Sequence, residues 1–193
     1  MQEREEFQTN SSANRTSLVF PYMVVLGVAL LRLEPGHIFN GIPVFSSLLL
    51  FAALRPAREL ALPLMALIGV DIFLTTHRFG FPLAFGSAVT WGWYLIVLLL
   101  GSGVLRNSRS WLRAGGCSLL ASISYFVASN FTVWAEWNIY SKTLDGLGAC
   151  YVAALPFFRN SLVSELLFSL CVFGLLNLSR PFALLESPEQ GVC

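Results

Sequence analysis

Apolar positions in this chain gather into long uninterrupted runs, not into alternating or heptad-spaced stripes. Six runs stand out: Leu18–Leu33, Ile38–Leu54 with Pro43 inside it, Leu60–Thr75 with Pro63 near its start, Phe81–Leu105, Ala114–Val133 and Ser161–Leu178. An α-helix needs about 17–25 apolar residues to cross the ~30 Å hydrocarbon core of a bilayer. Charges, Pro or Gly separate each run from the next, as helix ends require. Ten-residue segments of alternating hydrophobicity, the mark of a transmembrane β-barrel, do not occur. The pattern predicts an all-α membrane protein, a six-transmembrane-helix bundle. A further apolar stretch, Gly146–Phe158, has only 13 residues, and Pro156, Arg159 and Asn160 divide it from the last run. About 20 Å of helix cannot cross the core, so a half-membrane or interfacial helix before the last span is expected. A full crossing there would make seven spans and move the carboxyl end to the other side.

Composition agrees with the pattern. Of 193 residues, 55% are hydrophobic and 12% charged, with a mean hydropathy of +0.68. Soluble domains carry about 25% charged residues, so an ordinary soluble enzyme and a disordered chain are excluded. A net charge of +1 leaves no basic face for nucleic acid. Cys117, Cys150, Cys171 and Cys193 have no CxxC spacing. They read as small buried hydrophobes, not as a zinc or redox centre. Residues 1–17 read as a polar cytoplasmic tail, expected to be disordered and lacking a cleavable signal. Residues 18–180 form the six-helix transmembrane domain, and 181–193 a cytoplasmic C-terminal tail.

The basic residues give the orientation. With six spans, one side holds Arg4, Arg15, Arg55, Arg58, Arg106, Arg109, Arg113 and Arg180, and the other holds Arg32, Arg78, Lys142 and Arg159. Short basic connections stay cytoplasmic, which places both termini inside, in a bacterial inner membrane.

That orientation brings scarce polar residues to one depth. Arg32 ends the first span on the outer side, with Asn40 beyond it. Asp71 lies about one turn below the outer end of the third span, Asn130 at the same level of the fifth, and Glu165 about one turn inside the sixth. A carboxylate in hydrocarbon costs about 2.5–3.5 kcal/mol and normally faces a partner in the bundle interior. Arg32 is the natural partner for Asp71 or Glu165. Two readings follow: an outward-facing small-molecule pocket with aromatic walls, or structural ion pairs holding the bundle. Trp134, Trp137 and Tyr140 serve either as pocket wall or as an aromatic belt at the membrane surface. Catalytic signatures are missing. His37 and His77 sit in no metal spacing, and neither a GxSxG turn nor a Walker loop occurs. No catalytic residue, metal or cofactor is expected.

Four stretches, Arg32–Val44 (RLEPGHIFNGIPV), Asn130–Trp134 (NFTVW), Tyr140–Leu147 (YSKTLDGL) and Cys150–Asn160 (CYVAALPFFRN), resemble an uncharacterised family of small bacterial inner-membrane proteins. That family is similar to the substrate-binding S components of energy-coupling-factor (ECF) vitamin transporters. The resemblance covers nearly all the chain after residue 17. It implies a six-helix subunit that captures a vitamin-like molecule from outside and hands it to a membrane coupling subunit and two ATPases. Two departures stand out. Val25 and Ala29 occupy the place of the Ala-x-x-x-Ala contact motif, and Glu165 stands where the family has Asp.

The combined expectation is a non-enzymatic substrate-capture subunit in the lipid bilayer, with Arg32, Asn40, Asp71, Asn130, Trp134, Tyr140, Asn160 and Glu165 around its site. The rivals are an accessory subunit whose polar residues are interhelical glue, and an intramembrane lipid enzyme using Asp71, Glu165 or His77 as acid or base.

Overall fold

The shortest helix organises the molecule. In the computed structural model, which describes residues 2–34, 41–107 and 110–185 (side chains 18–34, 41–107 and 110–176), α2 runs Val44–Leu54. Its sequence, VFSSLLLFAAL, is uncharged and apolar on every side, so it has no face to give to water. Phe45 through Ala53 are all buried. Small residues let neighbours come close: a Cβ on Gly101 would stand 2.9 Å from Ala52 Cβ, so only glycine allows that approach.

Around α2 stand α1 (Gln2–Leu33), α4 (Phe85–Val104), α5 (Trp111–Glu136) and α6 (Leu144–Leu185), and all four pack directly on it. α3 (Ala61–Phe73) lies outside this ring against α1 and α4. A 3₁₀ turn at Ala57–Glu59 leads into α3, and a π-helical turn at Leu74–Arg78 continues it. The most extensive pairing is between α5 and α6. No strand occurs among the described residues. Among the described residues, four segments are long and apolar enough to cross a membrane: Ala57–Arg78, Phe85–Val104, Trp111–Glu136 and Leu144–Leu176. The exposed side chains of these helices are largely Leu, Ile, Val, Met and Phe, the surface a lipid-facing bundle presents. The protein is all-α and of membrane type.

One expectation is corrected. Residues 146–158 do not form a separate half-membrane helix: they are the beginning of α6, which continues through Pro156. Arg159 and Asn160 are exposed and project from the helix without ending it, and transmembrane helices tolerate an internal Pro. The short element is α2 instead, whose 11 residues rise about 16 Å.

Candidate functional site

At the end of the bundle where α2 begins, three helices contribute one closed polar cluster. Arg32 in the last turn of α1 places Nη2 2.5 Å from Asp71 Oδ1 of α3. Its Nη1 donates to the Tyr94 hydroxyl of α4 at 2.6 Å, and that hydroxyl donates to Asp71 Oδ2 at 3.0 Å. Asp71 and Tyr94 are buried and Arg32 half-buried, which their chemistry allows because each charge has a hydrogen-bonded partner within reach. Of the two partners open to Arg32, the structure selects Asp71.

Glu165 has a different task. Pro43 precedes α2 and supplies no side-chain cap, so the free N–H groups of that helix need an acceptor inside the bundle. Glu165, reaching across from α6, provides it. Oε1 accepts the Phe45 N–H at 2.8 Å, and Oε2 accepts the Ser46 N–H at 2.7 Å. The Ser46 hydroxyl lies 2.5 Å from Oε2, 2.8 Å from the Glu165 backbone oxygen and 2.9 Å from Ser118 Oγ. A carboxylate at a helix N-terminus also meets the positive end of the helix dipole. Glu136 repeats the arrangement on α4, accepting from the Phe85 N–H at 2.7 Å and the Gly86 N–H at 3.1 Å.

Between these two features lies a cavity of ≈ 410 Å³, within the range of small-molecule sites. Arg32, Tyr94 and Glu165 line it from α1, α4 and α6. Ser122, Tyr125, Phe126, Ser129 and Asn130 line it from α5, on the face that a four- and three-residue spacing brings together. Phe157, Phe158 and Ser161 close it from α6, and Ile42, Val44 and Phe45 from the α2 side. The aromatic wall is ordered: Phe126 and Phe158 stack at 4.3 Å between centroids, and Phe45 meets Tyr125 edge-on at 5.1 Å. Most polar groups here are already engaged. Tyr125 shares a hydrogen bond with Thr90, and the Asn130 amide nitrogen donates to the Phe126 carbonyl. The Ser122 hydroxyl is the exception, buried and without a partner among the described residues.

Of the residues singled out from sequence, Arg32, Asn130 and Glu165 line this cavity, and Asp71 stands behind Arg32. Trp134, in the last turn of α5, and Tyr140, in the connection from α5 to α6, lie outside its lining. Trp134 Nε1 donates to the Ser141 carbonyl there, and Lys142 lies over its ring at 5.6 Å. The Asn160 side chain is exposed on α6, while its backbone oxygen abuts Gly41. Asn40 and His37 lie outside the described residues. His77 sits exposed on the π-helical turn, its ring 5.5 Å from Phe73. Sequence reading passed over Tyr94, Tyr125, Phe126, Phe158 and the serines. A signal was present: Ser118, Ser122, Tyr125 and Ser129 recur on one face of an apolar helix, as do Ser161, Glu165 and Ser169 on the next.

Residues 11–185 match the sequence profile described as Family of unknown function (DUF6580), and the chain belongs to that family. No curated protein and no solved structure matches the chain.

Proposed function

We propose that this member of the family is a membrane subunit that captures a small, vitamin-like organic molecule from the outer side for uptake. The observation that carries the reading is the cavity itself. It has aromatic walls, an arginine and a carboxylate fixed at its edges by other protein groups, and one buried hydroxyl left to offer. Pre-organised polar groups in an apolar chamber are how small-molecule sites obtain orientation and specificity. In this reading the chain spans a bacterial inner membrane six times with both termini cytoplasmic. α2 completes its crossing with the irregular segment before it, and the cavity faces outward. The bundle supplies binding alone, so energy for uptake comes from a coupling subunit and ATPases of the energy-coupling-factor kind. Val25 and Ala29 are buried, so any such docking uses a different face of the bundle.

Thermal unfolding of the purified protein against a panel of water-soluble vitamins and their precursors tests this. One compound is expected to raise the midpoint, and Arg32→Ala and Phe126→Ala to remove the response. Absence of a response across the panel sinks the proposal. The second reading, an accessory subunit of a membrane complex, is favoured by a specific fact: both Glu165 oxygens and the Arg32–Asp71–Tyr94 ring are satisfied internally. It predicts co-purification in a stable heteromeric complex with no ligand.

A further inference from the structure

We infer that the cavity takes an uncharged, flat ring compound with hydrogen-bonding groups on its edge, and rejects carboxylate and phosphate anions. The inference rests on the capture reading and narrows its ligand. It comes from counting charges and then asking what each one already holds.

Two ionisable groups of opposite formal charge, Arg32 and Glu165, border the cavity. Arg32 is matched by Asp71 at 2.5 Å, and Tyr94 closes the ring between them. An anionic ligand would have to compete with a carboxylate that is fixed in place and already desolvated. Glu165 is matched by the start of α2, with hydrogen bonds to both oxygens. A cation would have to pull it from that helix and leave two backbone N–H groups buried and unpaired. An anion therefore meets no free counter-charge, and a cation meets only a carboxylate committed to a helix start, in a chamber whose apolar walls make either charge costly. A neutral ring pays no such cost. It can lie against Phe45, Phe158 and Tyr125. The Ser122 hydroxyl, more than nine-tenths buried and unpartnered among the described residues, sits just behind this wall, and rotation about its Cα–Cβ bond lets it give that edge a hydrogen bond. An orphaned hydroxyl on the wall of an apolar cavity is a group awaiting a partner.

The test uses matched probes that differ in charge alone: indole-3-acetamide against indole-3-acetate, and nicotinamide against nicotinate. Binding to the full chain in detergent is followed by thermal shift and by equilibrium dialysis. The amides are expected to bind more tightly than the acids by roughly tenfold or more. Asp71→Asn unbalances Arg32 and should move the preference toward the acid. Should that variant fail to fold, Ser122→Ala serves instead. It leaves every charge in place and should weaken the amides about five- to tenfold, the loss of one hydrogen bond, without helping the acids. Acids binding as tightly as amides overturn the inference and leave capture standing, as does a charged vitamin binding where every amide fails. Silence from all probes and from the vitamin panel overturns both.

Discussion

Each end of α2 carries an arginine, a carboxylate and a tyrosine, in two different roles. Where α2 begins, Arg32, Asp71 and Tyr94 come from α1, α3 and α4. Where it ends, Arg55 and Glu59 stand four residues apart across the turn into α3, with Nε 2.7 Å from Oε2, and the Tyr22 hydroxyl of α1 donates to the same oxygen. Arg55 also lies over the Tyr22 ring at 5.2 Å. The second cluster is mostly local and borders no part of the cavity, so it acts as a staple on the α2–α3 turn. The first joins three helices far apart in sequence and forms one wall of a cavity. The same functional groups give a clasp in one place and a site wall in the other, and long-range assembly beside unfilled space is what separates them.

The sharpest way to break the comparison is to remove what holds the site end open. Glu165→Ala leaves the Phe45 and Ser46 N–H groups without their acceptor, besides creating a void beside Ser46. Each buried donor stranded in this way costs about 1–3 kcal/mol, so a loss of roughly 3 kcal/mol or more is expected in detergent unfolding. A variant as stable as the parent would show that α2 does not depend on this cap.

Next comes the ion pair. Asp71→Ala removes the carboxylate that balances Arg32 and should cost about 3–5 kcal/mol, at the upper end if the void does not collapse. The double variant Arg32→Met with Asp71→Leu should recover most of that stability, because well-packed apolar pairs often replace buried ion pairs without penalty. Its ligand response should still be absent. Stability restored with binding lost separates a site wall from a mere clasp. Binding retained in the double variant would reduce the first cluster to the role of the second.

How far sequence alone reaches differs between these parts. The charges inside apolar runs were legible because hydrocarbon punishes them, and Asp71 and Glu165 are indeed buried. The choice of Asp71 over Glu165 as the partner of Arg32 was not legible, since it depends on how α1, α3 and α4 pack. The role of Glu165 was further out of reach. Its partners are backbone N–H groups of a helix about 120 positions earlier, and backbone groups leave no trace in residue identity. Pro156 misled for the opposite reason: a strong local stop signal was overridden by the continuous pairing of α6 with α5. The serine face of α5 was readable, and attention to charge hid it.

A smaller effect is expected where the loop before α2 rests on α6. Ser164 Oγ donates to the Gly41 carbonyl at 2.5 Å, and a Cβ on Gly41 would stand 2.8 Å from the Asn160 backbone oxygen. Helix backbone cannot yield to that methyl, so Gly41→Ala must displace the loop, at about 1–3 kcal/mol for overpacking. Ile42 and Val44, which follow Gly41 and line the cavity, should move with it. Weaker ligand binding with modest loss of stability is the expected pair of results. Unchanged binding would place the loop outside the site.

The smallest effect belongs to the clasp. Glu59→Gln keeps the size of the side chain and removes the charge that Arg55 and Tyr22 share. An ion pair formed across one turn returns little stability, and Arg58 beside it is largely exposed. The unfolding midpoint should fall by less than in Asp71→Ala, and the order of ligand preferences should not change at all. That second readout matters more than the first. Were Glu59→Gln to alter which probes bind, the two ends of α2 would be coupled through the helix, and the cavity would extend its influence along the whole core instead of ending at Glu165.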